Sequence, residues 1–365
     1  MKIRKGKLTL ITALSITLVL CLNVMCYATT IINPAIDTVP TEDSVTVVDA
    51  TFDPTIGDPT SYDVYLPSSI TPLPGGGESI NFIIKGITNS YLVPPNNFNP
   101  KKATNEQLDE YGFPTRPNDP NALKDWEKQI KNYKKVVKPS KAYVKKNASN
   151  TITNTTNPIW SGTVITGGAF QYVTGTFIQP TITGASSTTR ESTWVGIGGY
   201  NSRSLIQCGT ASNDGIYTAW YEYMSPYEEF DQINLSLTVI PGNSICATVK
   251  YNPADDSATF SVSANQYTFF AKVYGVTSWG YYDGTKAEWV AERPYNRDLG
   301  ITTNLANFNQ ITFSGCNVYT NLNSNYTPMG NYDQIRLSMF NNGTTLASPL
   351  NYTTTGFSIN WYRAQ

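Results

Sequence analysis

Residues Thr193–Tyr223 read TWVGIGGYNSRSLIQCGTASNDGIYTAWYEY, and this stretch decides the fold. Two Trp-bearing runs, around Trp194 and Trp220, carry the short, β-branched and aromatic pattern of strands. A polar turn lies between them, and Gln207 sits at the end of the apolar pair Leu205–Ile206. Further on, Ala287–Glu292 (AEWVAE) offers two carboxylates. On a regular strand Glu288, Val290 and Glu292 share one face, while Ala287, Trp289 and Ala291 share the other.

Outward from there the texture persists. Strand patterns recur at Gly162–Ile165, Gln171–Ile178, Asn234–Val239, Ser244–Tyr251, Ala258–Ser263, Tyr267–Val273, Gln310–Val318, Gln334–Met339 and Phe357–Arg363. Gly, Pro and Asn fall between them, and no long helical period occurs beyond Trp160. The expected fold is all-β, an antiparallel two-sheet β-sandwich over residues 151–365.

Composition agrees. Charged residues make up only 15% of the 365-residue chain, and the formal net charge is −1, which is no footprint of nucleic-acid binding. There is no histidine. That absence excludes a Ser–His–Asp triad, a Cys–His dyad and the usual His-containing zinc sites. Acid–base chemistry near neutral or acidic pH falls to Asp or Glu. No metal or organic cofactor is expected.

Met1–Ala28 reads as a secretory signal, with Lys2, Arg4, Lys5 and Lys7 ahead of an apolar run. Cys21 and Cys26 would leave with it, so that Cys208, Cys246 and Cys316 remain and at most one intrachain disulfide forms. A Cys246–Cys316 pair is one candidate. The expected product is secreted, monomeric and free of the membrane once the signal is cut.

Residues 29–150 differ in composition from the strand-rich region. They are rich in proline and lysine, with short strand patterns at Ser44–Phe52 and Ile80–Ile84 and helix patterns at Ala103–Tyr111 and Asn121–Val136. Lys124, Lys128, Lys131, Lys134, Lys135, Lys138, Lys141, Lys145 and Lys146 cluster there, whereas the chain from Thr151 on carries nine basic against thirteen acidic residues. This suggests a propeptide-like, inhibitory segment held to the acidic sandwich by charge and loosened by acid. Asn147–Asn157 has the polarity of a linker.

The series IWSGTVI, VTGTFIQP, STWVGIGGY, SLIQCG, TAWYEY and AEWVAERP, in that order, resembles the glutamic peptidases, or eqolisins, especially their bacterial-type members. PPNNFNP and LDEYGFPTRPNDP upstream are similar to bacterial family prosegments. The resemblance implies an endopeptidase acting on polypeptide substrates. It places the catalytic pair on Gln207 and Glu292, and substrate contacts on Trp194, Trp220, Glu222 and Glu288. Gly198 and Thr218 stand where fungal relatives carry Asp, which bears on subsite chemistry and acid tolerance.

The chemistry fits those residue types. Peptide hydrolysis needs a base for water, a donor for the oxyanion and a proton for the amine. A carboxylate serves as base and then acid, and a primary amide supplies both N–H and C=O. A non-catalytic, carbohydrate-binding sandwich of the concanavalin-like type is the alternative, since tryptophans in a concave sheet suit sugar stacking. A glycosidase using Glu222, Glu288 and Glu292 would leave Gln207 without a task.

Overall fold

The computed structural model describes residues 43–51, 53, 62–84, 86–145, 157–227, 232–320 and 326–365. The expected signal, Met1–Ala28, lies outside the described residues, as does most of the expected linker.

The upstream segment contributes β1 (Thr46–Asp49), β2 (Tyr62–Tyr65), β3 (Ser69–Pro72), β4 (Glu78–Ile84), β5 (Ile87–Val93), α1 (Asn105–Glu110), α2 (Pro120–Ile130), β6 (Lys135–Lys138) and β7 (Ala142–Lys145). α1 starts where its capping signal lies: the Thr104 hydroxyl accepts from Gln107 N, and the Gln107 side chain accepts from Thr104 N. α2 is capped by Asp119, with Pro120 in its first turn. It ends at Ile130, short of the expected Val136. Lys135–Lys138 instead forms β6, because its backbone pairs in parallel with β1 and, at Lys135 and Val136, with Tyr267 and Thr268.

The sandwich strands come next as β8 (Trp160–Thr166), β9 (Tyr172–Ile178), β10 (Thr189–Gly198), β11 (Leu205–Asn213), β12 (Ile216–Met224), β13 (Ile233–Thr238), β14 (Ser244–Asn252), β15 (Ser257–Ala264), β16 (Tyr267–Tyr274) and β17 (Ala287–Glu292). Later strands include Gln310–Tyr319, Asp333–Leu337, Thr344–Thr353 and Gly356–Trp361. The stretch from Trp194 to Trp220 thus holds a complete strand, β11, in place of the expected turn. Its polar residues belong to a strand buried on both faces.

Two large sheets result. One runs Thr344–Thr353, Gly356–Trp361, Gln310–Tyr319, β9, β14, β15, β16, β5, β4, β3. The other runs β2, β7, β13, β12, β11, β10, β17, β8, Asp333–Leu337. Their facing sides form the main core, through Val173, Val195, Ile206, Tyr221, Val249, Phe260 and Trp289 among others. The described residues belong to a single compact unit.

Each sheet also buries its second face. The helical part of the upstream segment covers the outside of β9, β14 and β16, where Trp126, Tyr133 and Phe113 pack with Tyr172, Phe270 and Tyr319. On the second sheet the outer face carries Trp194, Leu205, Ala211, Trp220 and Val290, with Trp160 and Met224 packed against them.

The cysteines correct one expectation. Cys208, Cys246 and Cys316 are all free and buried. Ile245 and Ala247 on β14 point into the main core, so Cys246 between them points outward, 3.9 Å from the Tyr133 hydroxyl. Cys316 lies in the main core. The two thiols sit on opposite faces of one sheet, and a Cys246–Cys316 bridge is sterically closed.

Candidate active site

The outer face of the second sheet is built in rows, because strands pair residue against residue and side chains alternate. Gly196 on β10 is the register partner of Gln207 on β11 and of Glu288 on β17. Gln207 in turn pairs with Glu222 on β12. One row therefore reads Glu222, Gln207, Gly196, Glu288. The next row reads Trp220, Gly209, Trp194, Val290, and the one beyond it Thr218, Ala211, Ser192, Glu292.

This register separates the two acids of AEWVAE by their level relative to Gln207. Glu292 shares the face with Gln207 but lies four residues further along its strand, an offset of about 13 Å. Glu288 is the carboxyl level with Gln207. Their backbones flank a single strand, roughly 10 Å apart, and the residue between them is glycine. A Cβ at Gly196 would lie 3.2 Å from Gln207 Cβ and 2.9 Å from Leu205 Cδ1, so any larger residue would intrude beside the amide.

The hydrogen bonds orient both groups. Gln207 Nε2 donates to Glu222 Oε2 at 2.6 Å. Tyr200 N donates to Glu288 Oε1 at 2.6 Å. The loop that brings this N–H needs Gly199, whose φ is +79° and whose Cβ would stand 2.9 Å from Glu288 Oε2. Gln207 Oε1 and Glu288 Oε2 are buried and accept no hydrogen bond from the described residues. Two level acceptors without donors are what a bound water can satisfy, one hydrogen to each.

Burial sets the electrostatics. Glu288 is fully buried, and loss of hydration pushes its carboxyl well above the usual range. The Tyr200 N–H and Lys286 oppose this shift, while Glu292 and Asp283 add to it. Glu292 is half-buried and is pushed up to about 7, chiefly by burial, with the indoles of Trp194 and Trp160 favouring its ionised form. Trp194 Nε1 donates to Glu292 Oε2 at 2.8 Å, and Trp160 stands edge-on to Trp194 at 5.0 Å. Trp194 and Trp220 thus lie on the same face as the acids, as strand alternation implies. Trp289 lies on the other, donating to Thr174 O at 2.8 Å.

Other acids are occupied elsewhere. Asp255 accepts from Ser257 and Lys272, and Asp256 from Thr277 and Ser278. Among the described residues no group of three or more His, Cys, Asp or Glu could hold a metal ion. Sequence reasoning overlooked Gly196, Gly199 and the Tyr200 N–H. The paired glycines of VGIGGY were the available signal.

A model of the Peptidase A4 family matches residues 158–361, more than half of the chain. The chain is similar to the crystal structure of scytalido-glutamic peptidase with a transition state analog inhibitor, at 23% identity and TM-score 0.48, covering 57% of this chain and 100% of that one. It is similar, at 22% identity and TM-score 0.46 with the same coverage, to SCP-B, a member of the eqolisin family described in a complex with the tripeptide Ala-Ile-His. No curated protein matches.

The chain belongs to the Peptidase A4 family, the glutamic peptidases or eqolisins. It is a glutamic-type endopeptidase, which hydrolyses peptide bonds with the family's glutamine–glutamate pair.

Proposed function

We propose that Gln207 and Glu288 are that pair in this chain. Glu288 takes a proton from the water held between them and returns it to the leaving amine. One N–H of the Gln207 amide stays with Glu222, and the second polarises the scissile carbonyl and holds the developing oxyanion. Glu222 fixes the amide plane. Trp194 and Trp220 line the adjoining row as substrate contacts, and Glu292 holds the Trp194 indole. The observation that carries this reading is the row Glu222, Gln207, Gly196, Glu288, in which Gln207 Oε1 and Glu288 Oε2 are buried and have no partner among the described residues.

The substrates are polypeptides, and the protein works outside the cell after loss of Met1–Ala28. The extracellular habit of the family supports that location. The upstream motifs PPNNFNP and LDEYGFPTRPNDP support a bacterial-type member, and the chain acts as a monomer. The carbohydrate-binding alternative has less support: the Peptidase A4 match spans the sandwich, and sugar binding leaves the row Glu222, Gln207, Gly196, Glu288 without a task.

Casein cleavage at about pH 3–7, read beside Gln207→Ala and Glu288→Gln, tests the assignment. Each variant should lose cleavage by at least two orders of magnitude. Cleavage surviving Glu288→Gln but abolished by Glu292→Gln returns the role to Glu292.

A further inference from the structure

The composition of the upstream segment suggests a removable piece. Its described part is packed into the fold. It shares the main core with the sandwich through Ile80, Phe82, Ile84, Tyr91, Val137 and Val144. It lengthens both sheets, β5 pairing with β16 and β7 with β13. On the outside of the first sheet Gln129 Nε2 lies within hydrogen-bond reach of the hydroxyls of Tyr172, Thr174 and Thr248, and Lys250, a nearly buried sandwich lysine, pairs with Asp109 of the segment. That ion pair has the reverse polarity of a latch made of segment lysines and sandwich acids. All these contacts lie away from the Gln207–Glu288 row.

One set of contacts reaches the site from behind. β12 carries Trp220 and Glu222 on its outer face, and Tyr221 and Tyr223 on its inner face. Asn89 of β5 is fully buried. Its Oδ1 accepts from the Tyr221 hydroxyl at 2.8 Å, and its Nδ2 donates to the Tyr223 hydroxyl at 3.4 Å. The Tyr91 hydroxyl lies 3.3 Å from that of Tyr221. The chain of support runs from Asn89 and Tyr91 through Tyr221 and Tyr223 to the strand that holds Glu222, and through Glu222 to the Gln207 amide.

We infer that residues 44–145 are a permanent part of the working peptidase, and that Asn89 is a positioning residue that fixes β12 and thereby the Gln207 amide. Without the segment, β13 and β16 become open edges, and Tyr172, Phe270 and Tyr319 lose their cover. A cut between the segment and the sandwich then yields a nicked, two-chain enzyme rather than a released inhibitor. The activity readout rests on the peptidase reading above, whereas the association readout does not.

The test uses the full chain with a specific protease site placed within 147–156, cut and passed over gel filtration at the assay pH. The two pieces should elute together, with kcat within about twofold of the uncut protein. Elution of the segment apart from a sandwich that keeps its native tryptophan emission overturns the inference, whatever its activity. Asn89→Ala and Tyr221→Phe in the full chain test the positioning role. Each should lower kcat by roughly tenfold or more, with KM changed far less, and the double variant should fall no further. If both variants fold and keep the parent kcat, Asn89 has no such role.

Discussion

The indole Nε1–H of Trp194 points at Glu292 Oε2, 2.8 Å away, so this carboxyl is engaged with a cleft tryptophan four residues along its strand from the position level with Gln207. Its neighbour Glu288 keeps one oxygen unpartnered. Two glutamates in one six-residue strand thus have different surroundings, and the difference can be measured. Glu288→Gln should abolish peptide cleavage. Glu292→Gln keeps an oxygen that can accept from Trp194, and should retain kcat within about tenfold. Glu292→Ala should raise KM by freeing the indole.

The same pair makes a pH prediction with a definite sign. Glu288 works as a base only when ionised, and its carboxyl titrates above the usual range, first because it is buried. The acid limb of kcat/KM should therefore lie above that of an exposed glutamate. A charged Glu292 is one of the groups that raises Glu288. Removing that charge with Glu292→Gln should shift the acid limb towards lower pH. A pH–rate profile of the two proteins checks this. A shift in the opposite direction would exclude Glu288 as the titrating base.

The cysteines give a prediction independent of activity. Cys208, Cys246 and Cys316 should all be found alkylated in protein denatured without reductant, as read by peptide mass spectrometry. In the native protein they should resist the reagent, since all three are buried and burial pushes the Cys316 thiol well above its usual range. A Cys246–Cys316 linked peptide would contradict the placement of these residues on opposite faces of their sheet.

Much of this was legible in the sequence, and the misses share a cause. Strand periodicity identified the sandwich and placed Glu288, Val290 and Glu292 together, because alternation is a local property of the backbone. Which of the two acids lies level with Gln207 depends on the register of β10 against both β11 and β17, and strand spacing does not encode that relation. β11 escaped notice because Gln207, Gly209, Thr210 and Ser212 break the apolar alternation of a strand that is nonetheless buried on both faces. The run after α2 looked helical from Trp126, Ile130 and Tyr133, yet β-pairing to partners far along the chain decided Lys135–Lys138. The upstream segment was recognisable as a distinct composition. Its share in the main core was invisible, because Asn89 and Tyr91 acquire their partners only across about 130 residues of chain.

A third carboxyl, Glu191, makes stability depend on pH. β10 turns its side chain inward, on the face opposite Trp194 and beside Thr193, whose hydroxyl donates to it. Among the described residues Glu191 Oε2 has no donor, and the neighbouring Thr210 and Ser212 hydroxyls are likewise unpartnered. Burial pushes this carboxyl from 4.5 up to about 8. The folded protein therefore holds a proton that the unfolded chain releases. Its contribution is fully present below about pH 4.5 and is lost progressively as the pH rises towards about 8. The span corresponds to roughly 5 kcal/mol as an order of magnitude. Thermal unfolding should show Tm falling by several degrees across this range. Glu191→Gln, which keeps the shape and removes the ionisation, should flatten that fall. An equally steep decline in Glu191→Gln would assign it to other groups.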